Sequence, residues 1–92
     1  MWMKLEDTVN LMCSEDFKDR FRAEFAQLEI RYQKLGILLM QIENHLCEFE
    51  PKSPVQLLRI QHQIMYQYMQ VLKKRADAEG IDLKVVDFFE KH

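Results

Sequence analysis

Apolar residues recur through the first half of the chain at Phe21, Phe25, Leu28, Tyr32, Leu35, Leu39, Ile42, Leu46 and Phe49, in steps that alternate between four and three. That spacing keeps side chains on one face of a single long helix. The pattern predicts a helix over 15–48, and at 1.5 Å per residue it spans roughly 50 Å. Ser14 is placed as its N-cap, with Glu15 and Asp16 in the first turn, where the helix dipole favours negative charge. Ahead of it, Trp2, Leu5, Val9 and Met12 also step by three and four and predict a short helix within 1–13.

Pro51 stops the long helix and disfavours helical backbone at Glu50. Ser53-Pro54 restarts one, with a hydroxyl cap and a proline at the first helical position. The second long helix is expected over 54–79 and ends at Gly80, where a left-handed residue is wanted. Lys73, Lys74 and Arg75 fall in its last turns, as the dipole prefers. Its expected buried stripe is Leu57, Leu58, Gln61, Ile64, Met65, Tyr68, Val71 and Leu72. The opposite face carries Arg59, His62, Gln63, Tyr66, Gln70 and Lys73. The stripe is wide, as for a helix with more than one neighbour. A final apolar segment over 82–90 is expected to dock, with Asp82 able to cap a short helix. The overhang of the first helix, with Phe17 and Phe21, is the natural place for both chain ends. The whole reads as one all-α domain over 1–92, a long antiparallel helical hairpin with short terminal helices.

A hairpin of this size buries little by itself. The first helix also has a second apolar line, Ala23, Ala26, Ile30, Ile37 and Met40, and residues 37–40 are apolar all round the helix. One partner helix cannot cover that circumference. An oligomeric bundle is therefore expected, with Ala26, Ile30, Ile37, Leu38 and Met40 at the interface between copies. Gly36 sits mid-helix at a cost of about 1 kcal/mol against alanine. Close approach of another backbone explains it, and so does a neutral surface glycine.

Composition narrows the chemistry. Of 92 residues, 48% are apolar and 30% charged, which suits a folded chain and not a disordered one. The net charge of −2 argues against a general DNA or RNA binder. Cys13 and Cys47 lack metal-ligand spacing and are expected as small buried residues of a reduced, cytoplasmic protein. The segment 1–12 carries Glu6 and Asp7, unlike a signal peptide, and no stretch reaches the roughly 20 apolar residues of a membrane span. His45, His62 and His92 are scattered and recur in no Glu-x-x-His pair, so no metal and no cofactor is expected. Ser14 and Ser53 are accounted for as caps, and two glycines cannot build a nucleophile elbow or a phosphate loop. Glu48 and Glu50 lie near the bend, where solvated acids are common. The chain is read as a non-enzyme.

Ligand binding remains. A phosphate-bearing ligand needs cations, free backbone N–H groups and aromatic planes. The candidates are Arg31 and Lys34 beside Tyr32, Lys52 with Ser53 at a helix start, and Tyr66 with Arg59 on a polar face. Tyr32 also fits the core stripe, with its hydroxyl reaching outward.

The run from Phe25 to Leu35 (FAQLEIRYQKL), the bend from Phe49 to Leu58 (FEPKSPVQLL), and Gln61, Met65, Tyr68, Leu72, Arg75-Ala76 and Glu79-Gly80-Ile81 resemble a family of short phage proteins. That family comes from gut and Firmicutes phages, the crAss-like ones among them, and the likeness covers residues 15–82. More remotely, the pattern is similar to the helical-hairpin sponges that phages deploy against CBASS and Thoeris immunity. The resemblance implies an oligomer that sequesters a cyclic di- or trinucleotide signal without cleaving it. No residue is carried over from the sponges, and the first helix here is longer than theirs. The competing expectation is a protein-binding inhibitor or adaptor that docks through the second apolar line and the Met-rich surface of Met40, Met65 and Met69.

Overall fold

The computed structural model describes residues 4–47 and 50–83. Among them lie a 3-10 turn, Leu5–Thr8, and three α-helices: α1, Val9–Met12; α2, Phe17–Glu43; α3, Val55–Glu79. No strand occurs among the described residues, and the fold is all-α. α2 and α3 form the antiparallel hairpin, while α1 and the 3-10 turn lie against α2.

Both ends of α2 differ from the sequence expectation, for local reasons. Asp16 caps the helix in place of Ser14, its carboxylate accepting from the Lys18 N–H at 2.9 Å. Ser14 builds the turn before it: its hydroxyl accepts from the Asp16 N–H and donates to Asp19. The far end comes at Glu43, not Glu48. His45 adopts a left-handed φ of 57°, the Leu46 N–H reaches back to the Gln41 carbonyl at 2.8 Å, and the His45 N–H to Ile42. This is a Schellman-type stop made without glycine. The Asn44 side chain also donates to the Met40 carbonyl. Glu48 and Phe49, expected at the end of the stripe, lie outside the described residues, as do Trp2 and most of the segment expected over 82–90. The two long helices are 27 and 25 residues, so the expected overhang shrinks to about one turn or less. Phe17 stays half exposed, whereas Phe21 is buried.

α3 starts at Val55, one residue later than expected. Pro54 stands at the boundary with an extended ψ of 141°, and its carbonyl accepts from Leu57 and Leu58. Ser53 contributes no cap. Gly80 ends the helix as expected, with φ 69°, and the Ile81 N–H returns to the Ala76 carbonyl at 2.8 Å. That bond turns Ile81 inward, where only 5% of it remains exposed.

The core is concentrated at the end of the hairpin away from the bend. It joins Phe21, Phe25, Ala26 and Leu28 of α2 to Met69, Leu72 and Ala76 of α3, with Ile81 closing it. Leu83 and Met65 pack against it, and Arg22 holds the Asp82 carbonyl at 2.7 Å. Arg75, one of the expected cationic run, lies over the Phe21 ring at 5.0 Å and pairs with Glu79. The N-terminal segment is tied on by Gln27, which donates to the Thr8 hydroxyl at 3.0 Å.

Three expectations about burial are corrected. Ala26 and Ile30, assigned to an interface between copies, are buried within the single chain: Ala26 belongs to the core, and Ile30 lies one turn from the Gln27–Thr8 contact. Cys13 is exposed and Cys47 half-buried. Leu57, Ile64, Tyr68 and Val71, placed in the buried stripe of α3, are 43–57% exposed. Among the described residues α3 packs on α2 alone, and a stripe wide enough for two neighbours leaves half its width uncovered.

Candidate functional site

Toward the bend the two helices present a cleft in place of a core. Its volume is about 490 Å³, and it is lined by Tyr32, Gly36, Leu39, Met40 and Glu43 from α2 and by Arg59, His62, Gln63 and Tyr66 from α3. Each set repeats at three and four residues, so each is one face of a straight helix. Leu39 is the only buried apolar residue of this wall, and it forms the floor on which the polar groups stand.

Aromatic rings dominate one side. Tyr32 and His62 stack face to face, centroids 4.1 Å apart and planes within 5°. Tyr66 lies 6.1 Å from Tyr32 at a tilt of 40° and is half exposed. Gly36 makes the stack possible: a Cβ there would stand 3.0 Å from the His62 Nε2. The close approach anticipated at this glycine is real, but the neighbour is an imidazole and not a backbone. At the mouth, Arg59 pairs with Glu43 at 3.2 Å. Both side chains are about half exposed, so the pair is worth about 0–1 kcal/mol and opens readily.

The structure thus brings together Tyr32, Arg59 and Tyr66 of the seven candidate ligand residues. Arg31 and Lys34 are exposed on other faces of α2, and Lys52 and Ser53 are exposed at the bend, so none of the four lines the cleft. Sequence reasoning did not give Gly36, His62 and Glu43 a place in the site. The signal was available: Tyr32, Gly36, Met40 and Glu43 run at helical spacing, and an otherwise costly glycine lies among them. Of the five residues expected between copies, Met40 lines the cleft and Ile37 is 52% exposed, while Leu38 is partly covered. No cluster of three or more His, Cys, Asp or Glu side chains suited to a metal ion occurs among the described residues. No helix among them is long and apolar enough to cross a membrane.

Fold and cleft define an all-α helical hairpin with an aromatic and cationic groove between its long helices. The chain belongs to the Sequestin family, whose model matches residues 15–78 and so spans all of α2 and nearly all of α3. No curated protein and no solved structure matches it.

Proposed function

We propose that this protein binds and sequesters a cyclic nucleotide immune signal without cleaving it, as a phage anti-defence protein acting in the infected cell's cytoplasm. The family name speaks for sequestration of a signal molecule. The observation that carries the ligand class is the meeting of the Tyr32–His62 stack, Tyr66 and Arg59 in one open cleft. A cleft of this volume accommodates a ligand of drug or nucleotide size. A base stacked on an aromatic ring contributes about 1–3 kcal/mol. Arg59, released from Glu43, offers a phosphate two parallel N–H donors, and a charged hydrogen bond contributes about 1.5–3 kcal/mol. His62 and Gln63 add polar contacts to base edges or ribose. The action is stoichiometric: each occupied cleft removes one messenger from solution. A groove on two rigid helices needs little ordering on binding, which favours affinity.

Calorimetric titration with a panel of cyclic di- and trinucleotides tests this. The expected result is saturable binding, with the ligand recovered intact after the protein is heat-denatured. Replacing Arg59 and Tyr66 together by alanine is expected to abolish it. Silence across the panel, recovery of a hydrolysed ligand, or unchanged affinity in the double variant would each overturn the reading.

A further inference from the structure

Among the described residues that line the cleft there is one guanidinium, Arg59, and one carboxylate, Glu43, and the two neutralise each other. Arg59 donates to the Glu43 carboxylate at 3.2 Å. From Val55 to Leu72 the sequence holds no other Lys, Arg, Asp or Glu, so nothing on that stretch of α3 duplicates Arg59 or draws it away from Glu43. An anion entering the cleft therefore finds a single cationic seat, and that seat is taken.

Helix stability does not account for an acid at this position. Glu43 is the last residue of α2, and no basic residue stands in that turn. A carboxylate there faces the negative end of the helix dipole, where Lys, Arg or His is favoured. Nor does the fold depend on the ion pair, since both side chains are about half exposed and such pairs contribute little.

We propose that Glu43 is a built-in competitor for the anion seat on Arg59, so that the cleft refuses simple phosphates and takes only a phosphate-bearing ligand that also stacks. This rests on reading the cleft as a site for such a ligand. Displacing the carboxylate weakens every anion by the same factor, but the consequence differs. A free phosphate has charge alone to set against Glu43 and falls below useful occupancy. A nucleotide also brings a base to the Tyr32–His62 stack, and one stacked base is worth about 5- to 150-fold in affinity. The carboxylate thus sets a threshold that keeps the cleft clear of abundant small anions and open to the ligand that both wall and cation recognise.

Inorganic pyrophosphate carries charge and no base, so it reads the Arg59 seat by itself. It is titrated into the full chain and into Glu43→Gln, followed by the NMR signals of the Gly36 backbone amide and the Gln63 side-chain amide, both in the cleft. Removing the pair and the like charge beside the anion is expected to tighten pyrophosphate about three- to tenfold. Adding Arg59→Ala to Glu43→Gln is expected to abolish the gain, which a merely loosened fold would not require. Equal or weaker binding by Glu43→Gln overturns the proposal. So does a gain that survives the loss of Arg59, or the absence of saturable binding in both proteins. The outcome is separable from that of the cyclic nucleotide panel. A silent panel with the pyrophosphate gain intact removes the ligand class and supports the competitor role of Glu43, whereas a binding panel without the gain removes that role alone.

Discussion

Replacing Gly36 with alanine sets two terms of similar size against each other. An alanine in a helix interior is favoured over glycine by about 0.8–1 kcal/mol. Its Cβ, however, would stand 3.0 Å from the His62 Nε2, closer than ordinary contact, so the imidazole must move. Moving it breaks the 4.1 Å stack on Tyr32, and an aromatic pair of this kind contributes about 0.5–1.5 kcal/mol beyond its buried area. The net change in stability is expected to lie within about 0.7 kcal/mol of zero, while the cleft loses its flat double ring. His62→Ala removes the obstacle. In that background the same Gly36→Ala change is expected to deliver the full helix gain, about 4–8 °C in Tm for a domain of this size. The four proteins form a double-mutant cycle, read by urea denaturation, with an expected coupling of about 0.5–1.5 kcal/mol. Equal stabilisation by Gly36→Ala in both backgrounds would refute the reasoning, because it would mean that the imidazole does not lie over the glycine.

Two further outcomes rest on the core and the cap. Phe25 is fully buried, so Phe25→Ala is expected to cost about 3–5 kcal/mol, a large part of the 5–15 kcal/mol typical of a domain; a urea midpoint within error of wild type would contradict the packing described. Asp16→Ala removes the carboxylate that accepts from the Lys18 N–H and is expected to cost about 1 kcal/mol in the same assay, and a neutral result would return the capping role to Ser14.

The chain's hydrophobic period determined much by itself. Steps of three and four residues fix helices whatever they pack against, so α2, α3 and the hairpin follow from Phe21 through Ile42 and from the break at Pro51. Gly80 was legible for the same reason: a left-handed residue after a helix is a local demand that glycine meets without a steric penalty. Local chemistry misled where residues compete for one role. Ser14 and Asp16 are both good caps; the Asp16 carboxylate takes the Lys18 N–H, while the Ser14 hydroxyl is engaged by the Asp16 N–H and by Asp19. His45 ends α2 in a left-handed conformation for which its residue type gives only a weak cue, held by bonds from its own N–H and from Leu46 back into the helix.

What only the tertiary structure decided is which side of each helix is used. An α3 with apolar residues over more than half its circumference can turn Leu58, Met65, Met69 and Leu72 inward, or Leu57, Ile64 and Val71, but not both sets against a single neighbour. The choice falls on the side that places Leu72 and Ala76 against Phe21 and Phe25 and lets Ile81 close the end. That rotation brings Arg59, His62 and Tyr66 opposite Tyr32 and Gly36, and it leaves Arg31, Lys34, Lys52 and Ser53 outside the cleft. Residue type sets what a side chain can do. The rotation of one packed helix about its axis sets which side chains meet, because period alone does not say which part of a wide apolar stripe a lone neighbour will cover.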